Sequence, residues 1–273
     1  MTPTPSPFVQ GPYAPAAGRA LVTGGSSGIG RDIALMLASA GVRTYVVGRR
    51  AAKLDSVVAE APAGTVVPLA ADIRDADAVA AAFDAAEADG GPVPLLVNAA
   101  SGAFLAAAED ISPNGFAAVV GSSLTGPFTV LRRWARPLLD SGTAGCATMV
   151  SSALAEREVP GAAHSSAAKA GLEALIRSLA VEWGPRGLRV NSLAPGAFST
   201  EGADAGMWSD DAVRTAALSN IPLGRFGTSD ELLGAAAFLL SRAATYVTGA
   251  TIVVDGGWHL SSHPFGDTFP SRT

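Results

Sequence analysis

One cysteine, Cys146, stands in 273 residues, so no intrachain disulfide can form. The three histidines, His164, His259 and His263, are scattered, and no metal site is expected from them. Basic residues are outnumbered, 19 Lys and Arg against 24 Asp and Glu, for a formal charge of −5. A surface of that balance repels nucleic acid and anionic membranes unless a local basic patch exists, and none is visible. No apolar run is long enough to be a signal peptide or a membrane span. Tyrosine is equally scarce: Tyr13, Tyr45 and Tyr246 are the whole supply. These absences favour a reduced, cytoplasmic setting.

What is present is apolar and periodic. With 48% hydrophobic residues, the chain can bury a large core in one domain. Short β-branched runs near 20–23, 43–47, 65–70, 94–97, 146–150, 188–193 and 251–254 read as strands. Between them, 28–40, 51–60, 75–89, 112–140, 162–184 and 229–241 repeat apolar residues at helical spacing. Such alternation builds a doubly wound parallel α/β sheet with helices on both faces. Residues 1–18, rich in Pro and Ala, are expected to form a flexible arm, 19–260 the domain and 261–273 a tail. The stretch 197–222 is the least regular long connection and follows a strand's carboxyl end, where open α/β sheets place ligands; it is the candidate substrate lid.

The first strand runs into Thr23-Gly24-Gly25-Ser26-Ser27-Gly28-Ile29-Gly30 and then into a helix. Glycines let the backbone approach closely, so amide hydrogens and the helix dipole can face a pyrophosphate. A tight structural turn is the competing account. The second strand ends in Gly48-Arg49-Arg50, where an NAD site would carry a carboxylate for the ribose hydroxyl. A guanidinium there offers paired, charge-assisted contacts to a 2′-phosphate, which points to NADP(H); two surface arginines at a helix start are the bland alternative. Asp72-Ile73 follows the third strand, and Asp72 suits either the adenine edge or a helix cap.

Taken together, Thr23-Gly24-x-x-x-Gly28-x-Gly30, Asn98-Ala99-Ala100, Ser152, Lys169, Asn191, Pro195-Gly196 and Asp255-Gly256-Gly257 resemble the short-chain dehydrogenase/reductase family from Arg19 to about Leu260. The resemblance implies a seven-stranded Rossmann-type sheet, assembly into a homotetramer through the 112–140 and 162–184 helices, and a nicotinamide beside Ser152 and Lys169. It further implies that Asn98 lines the cofactor cleft, that Lys169 holds the nicotinamide ribose, and that Thr200 contacts the carboxamide or pyrophosphate side. Within the family, the runs around Ala99-Ala100-Ser101-Gly102-Ala103-Phe104 and His164 to Lys169 are similar to the 2,4-dienoyl-CoA reductase branch.

In most of the family a tyrosine stands four residues before the lysine; here it is Ser165. Members of the branch use instead a tyrosine fifteen residues before the lysine or an aspartate ahead of Gly-x-Phe, and here those positions hold Leu154 and Ser123. Ser152 and Ser165 are therefore the expected hydroxyl donors, with Lys169 assisting; Ser165 lies one helical turn from Lys169. Space-filling is the competing account of Ser165. His164 is a possible acid, yet five helical steps leave it pointing roughly 140° from Lys169. Glu201, Asp204, Asp210 and Asp211 against Arg214 make the lid a poor surface for anionic coenzyme A. Phe198, Met207 and Trp208 either face substrate from that lid or pack onto the body. The expected activity is NADPH-dependent reduction of a conjugated enoyl or enone; a carbonyl reductase with an unusual acid and a decayed cofactor-binding subunit are its rivals.

Overall fold

The computed structural model describes residues 11–157, 159–200 and 208–260. Seven strands, β1 (Arg19–Thr23), β2 (Arg43–Gly48), β3 (Val66–Ala70), β4 (Leu95–Asn98), β5 (Gly145–Val150), β6 (Leu188–Pro195) and β7 (Thr251–Val254), form one parallel sheet in the order β3-β2-β1-β4-β5-β6-β7. The helices are α1 (Gly28–Ser39), α2 (Ala51–Glu60), α3 (Ala76–Ala88), α4 (Pro113–Val120), α5 (Gly126–Ser141), α6 (Ala163–Trp183), α7 (Asp211–Ser219) and α8 (Ser229–Leu240). The expected Rossmann-type sheet and its strand positions stand.

Side-chain alternation along each strand divides the core into two layers. Ala20, Val22 and Val46 face a layer built with Ile33 and Leu37 of α1 and Leu232 and Ala236 of α8. Leu21, Tyr45 and Val47 face the opposite layer, with Phe83 of α3, Trp134 of α5 and Leu172 of α6. Each fully buried large side chain contributes roughly 1.5–3 kcal/mol. Trp134 also satisfies its indole, donating to the Val93 carbonyl at 2.9 Å.

Three expectations need correction. The helix drawn over 112–140 is interrupted by a π-helical segment, Gly121–Thr125, between α4 and α5. The lid drawn as irregular over 197–222 contains α7, because Asp210 caps it by accepting from the Ala212 and Val213 amides. The arm drawn as flexible over 1–18 is pinned near its end: Ala16 donates to the Leu240 carbonyl at 3.0 Å and Pro15 bridges to Ser241. Residues 1–10, 201–207 and 261–273, and with them Glu201, Asp204, Met207 and His263, lie outside the described residues.

Candidate active site

The strand order reverses between β1 and β4, and their carboxyl ends open a cleft of about 530 Å³. Its first wall is the glycine turn. Gly24 adopts φ +67°, and a Cβ there would meet the Ala100 amide at 2.5 Å; a Cβ on Gly30 would meet the Gly24 carbonyl at 2.5 Å and Ala99 at 2.9 Å. The turn, the first turn of α1 and the Ala99-Ala100 strap therefore touch with no room for side chains. Ser26, Ser27, Gly28 and Ile29 complete this wall, and Thr200 approaches from opposite Gly28.

Ser27, the N-cap of α1, makes no side-chain bond to the helix amides, whereas Asp75 of α3, Ser112 of α4 and Asp210 of α7 all do. The first-turn amides of α1 are thus left to whatever enters the cleft, and the helix dipole favours an anion there. At the mouth stand Arg49, Arg50, Asp72, Ile73 and Arg74. Asp72 accepts from Arg74 at 2.6 Å, and this pairing, with the charge of Arg49 behind it, holds its carboxyl down at about 2. The residues present fit a phosphorylated dinucleotide: uncapped amides for its pyrophosphate, guanidinium groups for a further phosphate and a carboxylate at the mouth.

Thr23 and Asn98 sit below the cleft floor. They are paired in the sheet register, and Thr23 Oγ1 meets Asn98 Oδ1 at 2.7 Å, tying the ends of β1 and β4 together. Pro195 ends β6, and Gly196 packs so closely on Asp255 that a Cβ would lie 2.3 Å from the Asp255 Cβ. Pro195 and Gly196 are not among the residues that line this cleft, and packing on Asp255 accounts for a glycine at 196. Asp255 accepts from the Gly257 amide at 2.9 Å and meets His259 Nδ1 at 2.8 Å, which makes Asp255-Gly256-Gly257 a self-bonded turn.

The other half of the site is built from β5 and α6. Ser152 is half-buried and its Oγ accepts the Leu154 amide at 3.2 Å. Lys169 is buried and donates to the Val150 carbonyl at 2.9 Å; Val150 itself lines the cleft. Burial pushes the Lys169 ammonium down to about 8, against the opposing charge of Glu173. Ser165, Lys169 and Glu173 fall at i, i+4 and i+8, a single buried stripe along α6.

The alternative proton-donor positions, His164, Ser123 and Leu154, are all buried. His164 is fully buried, its ring centroid 4.3 Å from that of Phe104, and burial alone pushes its pKa down; the neutral ring is a poor acid at pH 7. Ser123, buried in the π-helical segment, shares a 2.9 Å hydrogen bond with Ser101, a cleft residue. Leu154 is buried. Tyr45 bonds Arg19 and Asp89 at 3.0 and 2.9 Å in the strand layer, Tyr13 sits in the amino-terminal turn, and Tyr246 is fully exposed beside the amino ends of β4 to β6. No phenol accompanies Lys169. Phe198 and Trp208 are buried, joined by a 3.1 Å bond from the indole to the Phe198 carbonyl, so packing is their role.

Two residues escaped the sequence reading. Glu173 was signalled only by its i+4 spacing from Lys169. Arg74 was signalled by the Asp72-x-Arg74 spacing, a short side-chain pair that becomes legible once both reach the cleft mouth.

The family model described as Enoyl-(Acyl carrier protein) reductase matches residues 24–259. A Bacillus subtilis protein named as a probable 2,4-dienoyl-CoA reductase is 36% identical over 248 residues, 90% of this chain and 98% of its own. The mouse peroxisomal 2,4-dienoyl-CoA reductase is 38% identical over 243 residues, covering 87% and 82%. Among solved structures, a gluconate 5-dehydrogenase from Burkholderia cenocepacia, in complex with NADP and tartrate, superposes with a TM-score of 0.85 at 31% identity, covering 92% of this chain and 98% of that one. A short chain dehydrogenase from Bacillus anthracis gives 0.82 at 33% identity, covering 90% and 98%. With sheet order, glycine turn, buried lysine and these matches in agreement, the chain belongs to the short-chain dehydrogenase/reductase family of NAD(P)-dependent oxidoreductases.

Proposed function

We propose that this enzyme is an NADPH-dependent reductase of a conjugated enoyl or enone small molecule of the dienoyl type. The observation that carries the reading is a donor set made of hydroxyls beside a buried ammonium, with no phenol near it. A ketone needs a proton on its oxygen as hydride arrives, and a serine hydroxyl is a weak acid for that task. A conjugated acceptor spreads the incoming charge onto an enolate oxygen, which hydroxyl donors stabilise while solvent protonates carbon.

When bound, the nicotinamide supplies the hydride. Gly24, Gly28 and Gly30 let the backbone seat the pyrophosphate, and Arg49 and Arg50 read the 2′-phosphate. Asp72 meets the adenine end, and Lys169 holds the nicotinamide ribose from below Val150. Ser152 directs its hydroxyl at the substrate oxygen, and Ser165 adds a second donor from the lysine's helical stripe.

The assembly in this reading is a homotetramer through α4, α5 and α6, which leave Phe116, Phe128 and Val181 exposed in the single chain. The setting in this reading is cytoplasmic. Light scattering is expected to give four times 27.3 kDa.

The deciding assay follows NADPH absorbance against three acceptor classes: a 2,4-dienoyl thioester, a simple enone and a ketone. Turnover of the conjugated acceptors at least tenfold above the ketone is expected. Efficient ketone reduction with no enone turnover overturns the reading.

A further inference from the structure

Two ionisable groups are buried one helical turn apart on α6, at 5% and 4% exposure for Lys169 and Glu173. The ammonium has one hydrogen-bond acceptor, the Val150 carbonyl at 2.9 Å. On the carboxylate, Oε1 has no hydrogen-bond partner among the described residues. Ser151, from the end of β5, faces the same carboxylate and favours its charged form, although Ser151 Oγ completes no hydrogen bond there. A buried charge persists only where another charge compensates it.

The surroundings identify which charge that is. Burial raises the Glu173 pKa, and the charged groups that face it are Glu156 from the turn after β5, which repels, and Arg177 and Lys169 on its own helix, which attract. Among the described residues, Glu173 is the charge that faces Lys169, and it counters the burial that lowers the Lys169 pKa. Arg177 attracts Glu173 more strongly than Lys169 does, but it is exposed and lies a turn further along α6, whereas the charge that Lys169 has beside it is that of Glu173. The neighbouring stripe of the same helix, Ala168, Leu172 and Ile176, is apolar and fully packed, so an apolar residue at 173 would suit the fold. A carboxylate at that position serves its neighbour.

We propose that Glu173 is a positioning residue that keeps Lys169 charged and aligned beneath the cleft, acting on the cofactor ribose only through the lysine. This rests on the reading of Lys169 as the ribose-holding residue. Its consequence is that the charge of Lys169 depends on a second buried residue of α6. Neutralising Glu173 leaves the ammonium with a lone carbonyl in a desolvated pocket, and the lysine then gives up its proton at lower pH.

The chain has two lysines, Lys53 and Lys169, so side-chain nitrogen signals in the ¹⁵N-lysine-labelled protein, free of cofactor, resolve each titration. Glu173→Gln is expected to lower the Lys169 midpoint by about one pH unit or more, a tenfold change in its ionisation constant. Glu173→Asp is expected to hold it within a few tenths of a unit. A folded Glu173→Gln protein, judged by its thermal melt, whose Lys169 midpoint stays put or rises overturns the proposal. Where Glu173→Gln does not fold, Glu173→Leu, which matches the apolar stripe beside it, replaces it: the midpoint falls by the same step, and no movement overturns the proposal. NADPH fluorescence titrations across pH complete the test, the alkaline loss of affinity moving down with the Lys169 midpoint. Lys169→Met binding NADPH like the wild type removes the ribose reading, and the nitrogen titration still decides whether Glu173 governs Lys169.

Discussion

The two halves of the cleft are built from different materials. Around β1 to β3 the wall is backbone: a glycine turn, uncapped amides of α1 and arginines reaching outward at the mouth. Around β5, β6 and α6 the protein instead buries polar side chains. Thr148, Ser151, Ser166 and Ser192 hydroxyls, both nitrogens of His164 and Glu173 Oε1 are buried there without hydrogen-bond partners, whereas the β1 to β3 side holds only Arg19 Nε among the described residues. An unmet buried polar atom costs roughly 1–3 kcal/mol, so the chemical half carries the strain and the cofactor half the rigidity. The difference teaches that one half of the cleft is shaped by chain geometry and the other by polar side chains held against their own preference.

The sharpest way to break this contrast is Gly30→Val. Its Cβ would intrude on the Gly24 carbonyl and Ala99, and the predicted outcome is loss of NADPH binding by about 10²-fold or more, read by fluorescence titration. Retained affinity would show that the backbone wall is pliant.

Ser165→Tyr acts on the other half. A phenol on the Lys169 stripe restores a general acid, typically worth about 10²- to 10⁴-fold, and the expected gain is in ketone reduction rather than enone reduction. No change in the ratio of the two rates would mean that the missing phenol does not set substrate choice.

Arg49→Ala tests the mouth. Loss of a guanidinium–phosphate contact costs on the order of 1.5–3 kcal/mol, a tenfold or greater drop in NADPH affinity with NADH unaffected. Equal losses for both cofactors would count against 2′-phosphate recognition.

The smallest effect concerns stability. The folded Lys169 pKa, about 8, lies below its ordinary 10.5, so the penalty for burying the charge is complete below pH 8 and lifts as the pH rises. Between those values the unfolded chain binds the extra proton, and stability increases by up to about 1.4 kcal/mol per pH unit. Cys146, whose thiol burial pushes up to about 11, works the opposite way above about pH 9, which makes pH 8–9 the clean window. Urea unfolding is expected to show a positive slope there that Lys169→Met abolishes.

Local spacing determined a great deal. Strand and helix periodicity, the glycine turn between strand and helix, the arginines after β2 and the Ser165–Lys169 turn are all relations within a few residues, and such relations are written directly in residue order. The lid's helix was hidden because it is short and polar, nine residues of which only Ala217 is buried, and such a segment looks like loop. Relations across the sheet had no such signature. Thr23 meets Asn98 across 75 positions, Gly196 has no side chain because Asp255 arrives from β7, His164 is sealed behind Phe104, and Glu173 is buried beside Ser151. Each depends on which strand lies beside which, a choice made by the global competition to bury both faces of the sheet. The residue order thus determined what could bind a dinucleotide, and the tertiary structure decided which polar groups would be left in the dark to do chemistry.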